Sequence, residues 1–212
     1  MKFWQKQLGL AVGWLKRAGF PACALAALLG SGCLLATAKA APAAPTAEER
    51  EYQVKGAFLA KFALFTEWPT AAFTNATAPV VLGILGPDRF GQEYVAALKE
   101  QTVNGRPFLL RRIQRSSDLA GCHILFVNAT ARVKAAQVVA LTGSAPILTV
   151  GESGDFATRG GVMGFFKDEG RVRFEINLDA AARANLKISA KLLQLARIVR
   201  DAPGETPVPG KK

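Results

Sequence analysis

From residue 79 onward, short apolar runs alternate with helix-length amphipathic stretches, and this alternation leaves few folds open. Residues 79–86 read Pro-Val-Val-Leu-Gly-Ile-Leu-Gly, with no polar side. Such a run suits a strand covered on both faces, as parallel sheets are. Residues 89–100 suit a helix, 108–113 a second strand and 123–127 a third. A helix over 131–142 and a fourth strand over 146–150 follow. The pattern predicts an α/β fold: a single three-layer domain with a mostly parallel sheet. Half of the 212 residues are hydrophobic and 20% are charged, enough apolar chain for one packed core.

The pattern changes after residue 160. Residues 161–166 and 171–178 read as a β-hairpin around Lys167-Asp168-Glu169-Gly170. Val172, Phe174, Ile176 and Leu178 alternate with Arg171, Arg173, Glu175 and Asn177, which predicts one buried face. Asp179 is expected to cap a short helix, and Ser189 a longer one over 190–200. On that last helix Leu192, Leu195, Ala196 and Val199 would face inward. Lys187, Lys191, Gln194 and Arg197 would fall on the other side. The hairpin and this helix complete the expected domain.

Residues 48–67 read as the opening helix. Val54, Phe58, Phe62 and Phe65 fall on one narrow stripe, widened by Ala57, Leu64 and Trp68, and Pro69 ends it. The stripe is expected to be core packing. Lys61 projects into this apolar face, either snorkelling to water or reaching an acidic group on a partner or elsewhere in the fold.

The first forty residues read as an address. Residues 1–21 carry four positive charges and no acid, and residues 22–36 form an apolar run of 15. That length suits a signal peptide and is short for a membrane span of about 20 residues. Ala38-Lys39-Ala40 offers a cleavage site, so the mature chain is expected to begin at Ala41 in an exported compartment. A retained anchor and lipidation at Cys33 are the alternatives. Cleavage removes Cys23 and Cys33 and leaves Cys122, read as a buried, inert thiol. Residues 48–201 are the expected domain, and the Pro- and Gly-rich residues 202–212 a disordered tail. The 27 basic and 16 acidic side chains give a net charge of +11. Five of the positives and none of the negatives lie before residue 41, which leaves +6 beyond it.

Motifs for chemistry are missing. The single histidine, His123, argues against most zinc sites and histidine-dependent catalysis. Leu85-Gly86-Pro87-Asp88-Arg89-Phe90-Gly91 matches neither phosphate-loop pattern, so a turn with a helix cap is the expectation there. A strand-end crevice could still hold a small ligand. Gly151-Glu152-Ser153-Gly154 misses the nucleophile elbow. Arg111, Arg112 and Arg115 form the densest basic cluster, but Arg111 and Arg112 would point to opposite faces of a strand. Nucleic acid conflicts with export, and anionic lipid head groups are the better use of the surplus charge. No cofactor, metal or catalytic residue is expected, and a binding or regulatory protein is favoured over an enzyme.

The run Tyr52-Gln53-Val54-Lys55-Gly56-Ala57-Phe58-Leu59-Ala60-Lys61-Phe62-Ala63-Leu64-Phe65-Thr66-Glu67-Trp68-Pro69 resembles the opening helix of the YfiR family. Leu85-Gly86, Gly105-Arg106-Pro107, Cys122-His123-Ile124-Leu125-Phe126-Val127 and Ile147-Leu148-Thr149-Val150 agree with its pattern in order. So do Gly160-Gly161-Val162-Met163, Phe174-Glu175-Ile176-Asn177-Leu178 and Leu192-Leu193-Gln194-Leu195-Ala196. The resemblance spans about residues 50–200. It implies a periplasmic repressor that binds the periplasmic part of an inner-membrane diguanylate cyclase and lowers cyclic-di-GMP and biofilm output. It also implies an outer-membrane lipoprotein that sequesters the repressor, and a homodimer is a further option. The family's namesake carries paired cysteines that form disulfides, which Cys122 alone cannot reproduce. Lys61, Lys187, Lys191 and Arg197 are the expected polar contacts to the partner. The alternative is a periplasmic small-molecule sensor.

Overall fold

The computed structural model describes residues 44–131 and 133–202. The expected signal peptide over 1–40, with Cys23 and Cys33, lies outside the described residues, as do residues 203–212 of the expected tail.

Helix α1 spans Ala47–Leu64. The Thr46 hydroxyl accepts from Glu49 N–H, and the Glu49 carboxylate accepts from Thr46 N–H, so two orphan donors at the helix start are satisfied. The helix stops three residues before the expected end. Thr66–Glu67 instead forms a short strand, β1, paired antiparallel with Lys187–Ile188, β9.

Between them the chain builds β2 (Val80–Leu85), α2 (Gly91–Lys99), β3 (Thr102–Val103), β4 (Arg106–Ile113) and β5 (Ile124–Val127). Then come α3 (Ala135–Thr142), β6 (Leu148–Gly151), β7 (Met163–Asp168), β8 (Arg171–Asn177) and α4 (Leu178–Arg183). The chain ends in α5 (Ala190–Leu193) and β10 (Arg197–Val199). Among the described residues, eight strands form one sheet in the order β10-β8-β7-β6-β5-β2-β4-β3. The central strands β4, β2, β5, β6 and β7 are parallel, which gives the α/β domain with a mostly parallel sheet.

The alternation of side chains sorts the core onto two faces. Val80, Leu82 and Ile84 of β2, Ile124 and Phe126 of β5, and Leu148 and Val150 of β6 join the cluster under α1. Leu125, Val127 and Ile113 face the other way, towards Val138 of α3 and Phe156. Both faces of β2, β5 and β6 are therefore buried along nearly their whole length, as their apolar runs require, whereas β4 is buried only at Phe108 and Ile113. The α1 layer is locked by aromatics: the Phe62 ring lies 4.9 Å from Phe174 and 5.6 Å from Phe165. Helix α2 lies close against α1 because residue 56 is glycine. A Cβ there would sit 2.4 Å from the Tyr94 ring, whose hydroxyl donates to Gly56 O.

The β7–β8 hairpin forms where expected, but the expected single buried face does not hold along β8: Glu175 and Asn177 are buried like Phe174 and Ile176, because β10 covers that end of the strand, and Leu178 opens α4. Glu169 and Gly170 both have positive φ, +48° and +73°, which matches the right-handed twist of the flanking strands. Helix α4 is capped by Asn177, not by Asp179: Asn177 Oδ1 accepts from Asp179 N–H and Ala180 N–H. The expected helix over 190–200 is replaced by one turn, α5, capped by Ser189, and by strand β10. Leu192 is buried as expected, but Leu195 is 53% exposed. The spacing of Leu192, Leu195, Ala196 and Val199 imitates a helix. The β-branched pair Ile198-Val199 instead pairs in parallel with β8, next to Ile176 and Asn177.

Candidate functional site

A polar cluster is buried where α1 crosses the carboxyl ends of β5 and β6. Helical spacing puts Tyr52, Lys55, Gly56, Leu59, Phe62 and Ala63 on the buried face of α1. Lys55 lies 2.6 Å from Glu152 Oε1 and 2.6 Å from Glu51 Oε1. The Tyr52 hydroxyl donates to Glu152 Oε2 at 3.0 Å and accepts from Asn128 Nδ2 at 2.9 Å. Ala129 N–H also donates to Glu152 Oε2. Glu152 and Asn128 directly follow β6 and β5, so their positions are set by the ends of buried strands. Lys167 of β7 extends the chain of charges by pairing with the second oxygen of Glu51. Burial, and then the Glu152 carboxylate, raise the Tyr52 phenol above its ordinary range, so it stays a protonated donor.

This cluster occupies part of the strand-end edge where open α/β sheets hold ligands. Beside it, a cavity of about 340 Å³ is lined by Asn128, Ala129, Lys134, Ser153 and Asp155. The cluster's polar atoms are spent on one another. Its chemistry is cohesion: it ties α1 to the sheet with charge-assisted bonds.

At the opposite end of the sheet, two cavities flank Trp68. The larger, about 710 Å³, is lined by Glu67, Trp68, residues 69–72, Pro146, Asn185 and Lys187. The smaller, about 250 Å³, is lined by Thr66, Glu67, Phe73, Val103, Asn104 and Arg106 among others. The Thr66 hydroxyl is buried there with no hydrogen-bond partner. Arg106 stacks its guanidinium 3.9 Å from the Phe73 ring centre and donates to Asn75 O and Ala78 O. His123 is buried behind Phe73, with the two rings stacked. Its Nδ1 accepts from Val81 N–H and its Nε2 faces Ala72 O at 3.1 Å, so the neutral ring carries its proton on Nε2.

The four residues expected to touch a partner sit on four different elements, α1, β9, α5 and β10. Lys61 is exposed on the side of α1 away from Leu59, so it does not enter the apolar face as expected. Val54 of the expected core stripe is also 44% exposed. The spacing of that stripe drifts round the helix: Phe62 is fully buried, Phe58 and Phe65 are partly buried, and Val54 points outward. Lys187 lies on β9 opposite Glu67, and Lys191 is exposed on α5. Arg197 bonds Glu175, a carboxylate otherwise buried in β8, and lies 4.0 Å from the Phe166 ring centre. Lys61, Lys187 and Lys191 make no ion pair with the described residues.

The sequence reading missed Lys55, Glu152, Tyr52 and Asn128. One signal was available: polar Asn128 and Glu152 each close a continuous apolar strand at its carboxyl end. Lys55 gave none, because its partner Glu152 lies 97 positions away.

Cys122 is buried, and burial raises its thiol to about 11. Among the described residues, no group of three or more His, Cys, Asp or Glu could hold a metal ion. No helix among them is long and apolar enough to cross a membrane.

Fold and surface thus define an α/β domain whose interior polar groups serve its own packing, with exposed cations spread over α1, β9 and α5. Sequence comparison places it further. The family model described as YfiR/HmsC-like matches residues 52–197, and the chain belongs to that family, whose members are in general regulators rather than enzymes.

Proposed function

We propose that this chain is a periplasmic regulator that binds and represses an inner-membrane diguanylate cyclase, lowering cyclic-di-GMP signalling and biofilm formation. The observation that carries this reading is the YfiR/HmsC-like match across residues 52–197, nearly the whole described domain. The basic, apolar N-terminal segment supports export, and the free cations Lys61, Lys187 and Lys191 are candidate contacts to an acidic partner surface. Repression works by population shift. The repressor binds the inactive conformer of the cyclase more tightly than the active one, and equal affinity for both would repress nothing. A tenfold shift takes about 1.4 kcal/mol of differential binding. Deleting the gene should raise intracellular cyclic-di-GMP, and an exported copy should lower it again. A copy lacking residues 1–40 that restores repression from the cytoplasm would overturn the mechanism.

One observation favours a second reading, a small-molecule sensor. Thr66, whose buried hydroxyl has no hydrogen-bond partner, lines a cavity with both aromatic and charged walls. On this reading a metabolite would raise the melting temperature of the protein with no partner present. A screen that leaves the melting temperature flat at saturating concentrations counts against it.

A further inference from the structure

We infer that the outer edge of the sheet, formed by β8 and β10, takes up an extended acidic segment of a partner protein as an additional strand. This rests on the reading that the chain acts by binding a partner protein. Strand β10 is three residues long and covers β8 only at Glu175, Ile176 and Asn177. Residues 171–174 of β8 pair with β7 on one side and, among the described residues, have no strand on the other. Strand β10 is itself last in the sheet order. Such an edge is a template for strand addition, in which backbone bonds give affinity and side chains select the occupant.

The side chains here select for negative charge. Arg171 and Arg173 on β8, Arg197 on β10 and Arg200 just after it are all exposed, and Lys191 is exposed on α5, the turn that leads into β10. Arg173, Arg197 and Arg200 each meet one acid, Asp168, Glu175 and Asp179. Arg171 and Lys191 meet none among the described residues. Apolar surface lies beside the charges, with Leu195 53% and Ile198 43% exposed.

Two other occupants fit less well. A second copy would bring the same arginines against one another. The chain's own residues 203–212 contain Pro203, Pro207 and Pro209, which have no N–H to give to a ladder, and two more lysines, Lys211 and Lys212. A segment alternating carboxylates with apolar side chains satisfies both the charge and the exposed Leu195 and Ile198.

The test uses the mature protein and the purified cyclase whose repression it restores. Hydrogen exchange at residues 171–174 and 197–199 should slow in the complex. Arg171→Glu with Lys191→Glu should weaken binding about tenfold, and added salt should weaken the wild type. Leu195→Asp, a second exposed position, should also weaken binding and keeps the test decisive if the charge reversal disturbs folding. Full-strength binding by both variants, or exchange at the edge unchanged in the complex, would overturn the inference and leave the repressor reading standing. Failure of the wild type to bind any membrane cyclase, with cyclic-di-GMP unchanged on deletion, would remove the repressor reading and this inference together.

Discussion

Lys55 of α1 and Glu152, the first residue after β6, form an ion pair at 2.6 Å with both side chains almost wholly buried. Their charges balance in a chain that runs from Lys167 through Glu51 to Lys55 and Glu152. Removing one buried partner is costly because the other charge is left unpaired, whereas removing both together is much cheaper. Lys55→Met should therefore destabilise the fold by about 3–5 kcal/mol. Lys55→Met with Glu152→Gln should cost less than the sum of the single changes, with a coupling of about 0.5–3 kcal/mol. Chemical denaturation of the four proteins measures this, and strict additivity would show that the pair does not hold α1 in place.

Phe62 tests the aromatic lock of α1. Its side chain is fully buried and touches Phe58, Phe165 and Phe174. Phe62→Ala should cost about 3–5 kcal/mol, while Val54→Ala, at an exposed position, should fall within about 0.5 kcal/mol of the wild type. A reversed order, measured by denaturant titration, would restore the narrower stripe expected from spacing alone.

These two residues show what the sequence made legible. Strands β2, β5 and β6 were readable because burial on both faces leaves apolar runs, and β4 from the apolar stretch Phe108-Leu109-Leu110 between its arginines. The hairpin was readable from Glu169-Gly170 and the apolar residues on either side, but the alternation along β8 did not show that Glu175 and Asn177 are buried as well. Strand β10 was not, because four apolar residues at helical spacing imitate a helix, and only the open edge of β8 decides otherwise. Strands β1 and β9 have two residues each, too few to leave a periodicity. The buried cluster was hidden because its two halves are far apart in the chain: Tyr52 and Asn128 are 76 positions apart. The four partner candidates were chosen by charge, and charge alone does not say that Arg197 is already engaged with Glu175.

Cys122 should be chemically silent in the folded protein. It is 5% exposed, its thiol donates to Ile124 O at 3.0 Å, and burial raises it to about 11. At neutral pH the reactive thiolate is therefore scarce and shielded. A thiol reagent should label the mature chain only after denaturant is added. Fast labelling of the native protein would mean that the β5 end of the sheet opens.

His123 gives the fold a defined dependence on pH. The ring stacks on Phe73 with centres 4.3 Å apart, and Nδ1 already accepts from Val81 N–H. A second proton on the ring would have to displace that bond. Burial first, and then Arg106 and Arg111, hold the folded group below its ordinary value of 6.5, against the pull of the Ala72 carbonyl. The folded state therefore binds fewer protons than the unfolded chain below pH 6.5, and stability from this group rises with pH. It is fully present above the ordinary histidine range. As pH falls below 6.5 it is lost at up to about 1.4 kcal/mol per unit, levelling off below the folded value. His123 is the only histidine in the chain, so its ring signals can be followed by NMR without ambiguity. They should not titrate near 6.5 in the folded protein. His123→Asn should flatten the stability profile between pH 5 and 7. A ring that titrates normally, or a variant with an unchanged slope, would place the pH sensitivity elsewhere.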